Sequence, residues 1–472
     1  MRTFRFLPAA SLLLALALAA CSDRSTTPVG PDATGQPDLS AAITQAEIPS
    51  RQEERPGTFL DLSDEELWQA LLVSDGVAAV GLKAPGTKRG VYRGQILMAR
   101  GQSAQARRAL LARHGIELLK VDELLPLIEV RFTSAAALTA VRRLPIVDYI
   151  EPVMVEQDQP QWAATGGCGY GGSWTGDRQS LSGDVYSARF TAMRIPAAWR
   201  LSNGAGITIG LTDTGISSTQ AQLGSQFASG ESGGRTIRLF RLSSQSSVYD
   251  QCGHGTRMAG VLAAPNDGQS VVGVAWKSNL ISVRQASGVA AVSSSDARAS
   301  VRGAAQNGSQ IIVMAWQSLN WFWQVSDEIK YWHYNRPILF VGTAGTSGCG
   351  DGILDSNVVF PAQMSEVVAV TGISYPNGGM PCGIHYGKQV ELTAYLDVPT
   401  TGQYTADVVG IGGSSNATAI VAGVAALVWS RTPALTRDQV RARLQQSGGY
   451  YPNRHSREGF GLVDAYKAVS GR

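Results

Sequence analysis

Three short stretches of the chain hold residue types that can do chemistry together. The first is Ile207-Thr208-Ile209-Gly210-Leu211-Thr212-Asp213-Thr214-Gly215, an apolar strand ending in a carboxylate and a glycine turn. Open parallel sheets carry their functional groups at the carboxyl ends of such strands. By itself an Asp at a strand end usually caps a turn. Aspartic-protease chemistry would need two carboxylates sharing a proton, and the chain has no second Asp-Thr-Gly. The second stretch is Asp250-Gln251-Cys252-Gly253-His254-Gly255-Thr256-Arg257-Met258-Ala259-Gly260-Val261. Glycines on both sides of His254 leave its ring approachable, and the small and apolar residues after it suit a buried helix. The chain has five histidines, and His114, His333, His385 and His455 lack such flanks. The third stretch runs from Gly412 to Val428 and places Ser415 at the start of a helix of small residues. A backbone N–H and the positive end of the helix dipole would there face an oxyanion forming beside the hydroxyl. Taken singly, Ser414 or Ser415 reads as an N-cap.

Together the three meet the requirements of nucleophilic acyl transfer: a weak hydroxyl nucleophile, a base for its proton, and a carboxylate that holds the base's tautomer. Asp213 and His254 are 41 residues apart, and His254 and Ser415 are 161 apart, in the order Asp, His, Ser. An α/β-hydrolase esterase would carry its triad as Ser, Asp, His with a G-x-S-x-G elbow, and that elbow is absent around Ser415.

Positioning these groups takes strands and helices in alternation. After Ala188, short apolar runs at Ile207–Leu211, Leu280–Val283, Ile311–Ala315, Ile338–Gly342 and Val367–Val370 alternate with helical patterns. That alternation marks a parallel sheet covered on both faces. The expected fold is therefore α/β, a doubly wound, mainly parallel sheet over 188–472, behind a smaller α+β unit. At 472 residues the chain exceeds one ordinary domain. A formal charge of +3, spread over 40 basic and 37 acidic residues, gives no reason to expect a nucleic-acid partner.

The N-terminal half reads as export and control. Arg2 and Arg5 precede an apolar run from Leu7 to Ala20, too short to span a bilayer and suited to a signal peptide over 1–20. The run ends Leu18-Ala19-Ala20-Cys21, which resembles a bacterial lipobox with Cys21 as the lipidated mature N-terminus. Ser22 after it implies the outer membrane or cell surface. Residues 21–57 read as a flexible tether, and 58–91 as a short helix and linker, with Ser63 and Glu66 forming a capping box. Over 92–157 the expected order is β-α-β-α-β, ferredoxin-like in outline: strand Gln95–Arg100, a helix from Ser103 to His114, strand Leu127–Phe132, a helix from Ser134 to Leu144, and strand Val147–Val155. Residues 158–187 form a Gly/Ser-rich junction. Four further cysteines, Cys168, Cys252, Cys349 and Cys382, allow three pairings in an oxidising compartment. Cys349 with Cys382 is preferred because it closes the shortest loop. The absence of a C-x-x-C pair argues against zinc.

At this point the chain resembles a known family. "DTG", "HGTRMAG" and "GSSNATAIVAGVAAL" look like the Asp, His and Ser blocks of the subtilases, and "GFGLVDAYKAV" looks like their C-terminal helix. The resemblance covers about 188–469, and the unit ending in "AVRRLPIVDYIEP" resembles the family's inhibitor prodomain. It implies a serine endopeptidase acting on proteins or peptides, in which Asp213 orients, His254 is the general base and Ser415 attacks. It further implies maturation by self-cleavage, the prodomain as an intramolecular inhibitor, and no required cofactor. Structural calcium is compatible with the family, with no ligand set readable here. Several positions depart from the family pattern. Ser414, Ala419 and Ile420 stand where Thr, Pro and His are usual. Thr346 occupies the place of the oxyanion Asn, and Ala315, Trp316 and Gln317 lie on the segment resembling the substrate-binding strand. The alternative reading is a catalytically weak or inactive lipoprotein of the same fold, acting in binding.

Overall fold

The structure, a computed structural model, describes residues 42–43, 59–83, 116–154, 168, 172–288, 293–349, 355–405 and 407–472. The signal segment, Cys21, most of the tether, strand Gln95–Arg100 and the helix Ser103 to His114 lie outside these residues.

The first unit is built from α1 (Asp64–Leu72), β1 (Val77–Leu82), β2 (Ile116–Val121), β3 (Leu127–Phe132), α2 (Ala135–Arg142) and β4 (Val147–Pro152). Helix α1 begins with the expected capping box: Glu66 N–H donates to Ser63 Oγ at 3.2 Å and Ser63 N–H donates to the Glu66 carboxylate at 2.8 Å. The antiparallel sheet has the order β2-β3-β1-β4, which is that of a ferredoxin-like split βαβ. Two strands differ from the sequence reading. Val77–Leu82, inside the stretch read as linker, is a central strand, and its run of Val, Ala, Ala, Val, Gly and Leu is too short and small to separate from a helix flank by periodicity. Ile116–Val121 is an edge strand, half-exposed and therefore weakly patterned.

The larger unit contains β5 (Thr208–Asp213), β6 (Ile237–Arg241), α3 (His254–Ala263), β7 (Asn279–Arg284), α4 (Ser294–Gln306), β8 (Ile311–Met314), α5 (Trp323–Asn335), β9 (Leu339–Thr343), β10 (Val367–Ile373), β11 (Val390–Tyr395) and α6 (Gly413–Arg431). Its seven strands pair in parallel in the order β11-β10-β9-β8-β5-β7-β6. All five strands read from the sequence are present. The edge strands β6 and β11 were not among them, because Ile-Arg-Leu-Phe-Arg and Val-Glu-Leu-Thr-Ala-Tyr interleave charged or polar residues with apolar ones. From β5 the chain runs to the edge strand β6, returns through β7 and crosses β5 to β8, from which it builds outward to β11; the connections after β5 and β8 leave in opposite directions, and a crevice opens between these two strands at the carboxyl edge. Alternate strand residues feed two cores. Ile209, Leu211, Val313 and Val341 pack under α3 and α6, while Ile281, Val283, Ile312 and Phe340 pack under α4 and α5. Helix α6 is apolar and long enough to cross a membrane by composition, but nearly every residue from Asn416 to Trp429 is buried in this protein core.

The smaller unit docks on α4 and α5 and extends their core. Phe322, before α5, offers no side-chain cap. The buried carboxylate of Glu151, on β4, supplies it from outside, accepting the N–H groups of Trp323 at 2.7 Å and Gln324 at 3.1 Å. Ser294, at the start of α4, donates its N–H to Val153 O at 3.0 Å and its hydroxyl to Pro152 O at 2.9 Å. Asp122 receives Arg298 and Arg302, the latter at 2.8 and 3.0 Å, and Glu129 receives Arg298 at 2.8 Å. Burial alone would raise the Asp122 carboxyl, but Arg302 and Arg298 outweigh it and hold it at about 2. Glu151 is the opposite case: burial, reinforced by nearby Asp327, pushes it up to about 8 against the two N–H donors.

The two carboxyls give docking a pH window. Glu151 ordinarily titrates near 4.5 and sits at about 8 when docked, so its contribution is present below 4.5 and is lost as pH rises toward 8. Asp122, lowered from 3.8 to about 2, contributes above 3.8 and loses that contribution as pH falls toward 2. In Ser415→Ala protein the urea midpoint should therefore fall between pH 5 and pH 8, and Glu151→Gln should flatten that fall. Equal slopes with and without Glu151→Gln would show that this carboxyl is not the source.

Candidate active site

Asp213 is the last residue of β5, buried, with Oδ1 accepting the Thr214 N–H at 2.7 Å. His254 is the first residue of α3 and follows Gly253, whose φ of 88° turns the chain sharply into the helix. The carboxylate of Asp250 ties this turn. Its Oδ1 accepts the N–H groups of Cys252 and Gly253, both at 2.8 Å, and its Oδ2 accepts the Thr256 N–H at 3.0 Å and hydroxyl at 2.7 Å. Gly255 lets α3 press against the turn after β5: a Cβ there would run into the Gly215 carbonyl. The result is a buried pair in which His254 Nδ1 lies 2.8 Å from Asp213 Oδ1 and 3.0 Å from Oδ2. A ring nitrogen facing a carboxylate carries the proton, which leaves Nε2 with its lone pair as a base.

Ser415 is the third residue of α6. Its N–H belongs to the first turn, where a helix provides no acceptor of its own, so it points from the positive end of a buried helix. The hydroxyl donates to Ala315 O at 3.0 Å, and among the described residues it makes no hydrogen bond to His254. Transfer of its proton to Nε2 requires a rotation of the side chain away from Ala315.

Thr346 lies beside this helix end, and its hydroxyl is fully used. Ser414 Oγ donates its one proton to Gly345 O at 2.7 Å, since a carbonyl can only accept. The hydroxyls of Thr343, 2.6 Å away, and Thr346, 2.8 Å away, must then both donate to Ser414 Oγ. Thr346 Oγ1 also accepts the Ser414 N–H at 3.1 Å. Ser414 and Thr346, two departures from the family pattern, thus form one network that ties the end of α6 to the end of β9. Thr346 thus has its one proton engaged within this network, while the Ser415 N–H stands in the first turn of α6.

Of the substrate-segment residues, Ala315 contributes its carbonyl to Ser415. Trp316 points its ring into the core under α4 and α5, with Nε1 donating to Thr212 Oγ1 at 2.9 Å. Gln317 bridges to Thr346: Thr346 N–H donates to Gln317 Oε1 and Gln317 Nε2 donates to Thr346 O, each at 2.8 Å. Cys349 pairs with Cys382, as preferred from loop length, and Cys168 pairs with Cys252, two residues before His254. Among the described residues no group of three or more His, Cys, Asp or Glu is arranged to hold a metal. The sequence reading did not single out Asp250, although an Asp three residues before a Gly-His step is a turn-forming signal, nor the Thr343–Ser414–Thr346 network, which depends on contacts distant in sequence.

A model of the "Subtilase family" of peptidases matches residues 204–461, more than half of the chain. The chain belongs to this family. It is 34% identical over 229 residues to a thermostable alkaline protease of Halalkalibacterium halodurans, covering 48% of this chain and 61% of that protein. It is 28% identical over 253 residues to subtilisin DY of Bacillus licheniformis, covering 52% of this chain and 84% of that one. The chain thus spans less than two thirds of the first of these relatives. Among solved structures it resembles the MycP3 protease from the type VII (ESX-3) secretion system, at 25% identity and a TM-score of 0.50, over 64% of this chain and 92% of that one.

Within a subtilase active site, the proton count at Thr346 has a direct test in the rate at which a fluorophosphonate modifies Ser415. Thr346→Asn should raise that rate, because a side-chain donor to the oxyanion is worth on the order of 10²–10³. Thr346→Val should change it less than about tenfold, since the hydroxyl's proton is already engaged. A loss near 10² in Thr346→Val would show that the hydroxyl is the working donor.

Proposed function

We propose that the chain is a serine endopeptidase that cleaves protein or peptide substrates through an acyl-enzyme. The observation that carries this reading is the buried Asp213–His254 pair at the carboxyl end of β5, with Ser415, at the N-terminus of a buried helix, hydrogen-bonded to Ala315 just past the neighbouring strand β8. Asp213 fixes the tautomer of His254. His254 Nε2 takes the Ser415 proton as Oγ attacks the scissile carbonyl, then returns a proton to the leaving amine. The Ser415 N–H receives the oxyanion, and water repeats the sequence to release the acyl group. No cofactor enters these steps.

The unit from Phe59 to Met154 serves as the inhibitory prodomain in this reading. Its capping of α5 and its contacts with α4 support the assignment, as does its position just ahead of the Gly/Ser-rich junction 158–187. Cys21, as a lipidated N-terminus, would hold the precursor at the outer membrane or cell surface, and self-cleavage would free the catalytic unit. Two observations favour a second reading, a weak or inactive protease fold acting in binding: the Ser415 hydroxyl rests on Ala315 O, and Thr346 has its proton engaged by Ser414.

Fluorophosphonate labelling at Ser415 separates the two readings, being expected for the enzyme and absent from a pure binding protein. His254→Ala and Ser415→Ala should each abolish peptide cleavage almost completely, with the double variant no worse, because triad members act as a unit; additive losses would contradict the assignment. Maturation gives an independent check by intact mass. Wild-type protein should cut itself between about Gln157 and Ser187, while Ser415→Ala should stay full length apart from signal removal. Identical processing of the two would mean that another protease does the cutting.

A further inference from the structure

Strands β8 and β9 pair from Ile311↔Leu339 to Met314↔Gly342, and the ladder then stops. Beyond it the two backbones part. Ser318 turns to Phe360, with N–H to O distances of 3.0 and 3.2 Å, while Thr346 forms a bridge to Ile384. The parting leaves a slot between Ala315–Gln317 on one side and Gly345–Thr346 on the other. The end of α6 lies across it, touching both walls: Ser415 Oγ on Ala315 O at 3.0 Å, and Ser414 N–H on Thr346 Oγ1 at 3.1 Å. A carbonyl carbon attacked by Ser415 is bonded to the Cα of its own residue, so that residue's side chain lies close to Ser415, whose helix end touches Ala315 on one side and Thr346 on the other.

A side chain already crosses the slot. The carboxamide of Gln317 meets the N–H and the C=O of Thr346 at 2.8 Å each, replacing the amide pair that a continued strand would have made. Neither Gln317 nor Thr346 is fully buried, so this pair stands at the edge of the crevice rather than in the core. We infer that Gln317 is a specificity strap, admitting peptides with Gly, Ala or Ser at the residue that supplies the scissile carbonyl and excluding large apolar or aromatic side chains there. This rests on the endopeptidase reading and adds a substrate class to it. A large side chain can enter only by displacing two paired amide hydrogen bonds at once, which costs on the order of tenfold to a hundredfold in kcat/KM.

The test compares two peptides identical except for Ala or Phe at that residue, using the protein as purified. Wild type should favour the Ala peptide by about tenfold or more in kcat/KM, and Gln317→Ala should shrink that ratio at least tenfold. Gln317→Asn, one methylene too short to reach both Thr346 groups, should shrink it in the same direction. A wild-type ratio near one, or a ratio that survives both substitutions, overturns the strap. Equilibrium binding of the same two peptides, made uncleavable by a reduced scissile bond, to wild type and to Gln317→Ala reads the slot without turnover. Selective binding lost with Gln317 upholds the strap even in a protein that fluorophosphonate fails to label, where the endopeptidase reading alone falls; equal binding in both overturns the strap whatever the activity.

Discussion

Every distance in the site depends on how closely one helix can lie on the sheet and on its neighbour. From Gly413 to Trp429 the residues of α6 are mostly Ala, Gly, Ser, Thr and Val, and the helix is buried almost all round. At Gly423 a single methyl group would strike Val274, and at Gly260 of the neighbouring α3 it would strike Thr400 and Thr401. Interiors this close-packed leave no slack for extra atoms. The start of α6, and with it Ser415, is therefore fixed against the ends of β8 and β9. The same packing fixes α3 and the His254 ring over Asp213.

The centre of the fold and the Asp213–His254 pair were legible in the sequence, and the reason is physical. Strands buried on both faces read as unbroken apolar runs, and residues at their carboxyl ends stand out against them, as Asp213 does after Ile207–Leu211. Helices that must lie close together read as runs of small residues, as after His254 and Ser415. Edge strands β2, β6 and β11 carry mixed patterns because one face or one edge meets water or a polar partner; buried Glu391 of β11, for instance, is satisfied by Arg441. Val77–Leu82 hid because six small apolar residues have no period of their own.

Side-chain hydroxyls and amides were legible only as identities. That Thr346 differs from the expected Asn is plain from the sequence, but what its proton does depends on Thr343, Ser414 and Gly345, brought together by the end of one strand and the start of a helix 68 residues further on. Gln317 and Trp316 make the same point, since neighbours on one segment end in different places, one across the slot and the other in the core under α4 and α5. The docking of the smaller unit is legible in neither half alone: Phe322 gives α5 no side-chain cap, and the Glu151 carboxyl takes its hydrogen bonds from the first N–H groups of α5.

The disulfide between Cys168 and Cys252 has a topological consequence. It closes a covalent ring through the junction, the turn after β5 and the residue two before His254. A backbone break upstream of Cys168 opens no ring, and the new N-terminal segment stays stapled to the rim of the site. A break between Cys168 and Cys252 cuts the ring without separating its parts, so the two fragments remain one molecule until the bond is reduced. Which side of one cysteine the cut falls on thus decides whether the two halves of the precursor can ever part company outside a reducing environment.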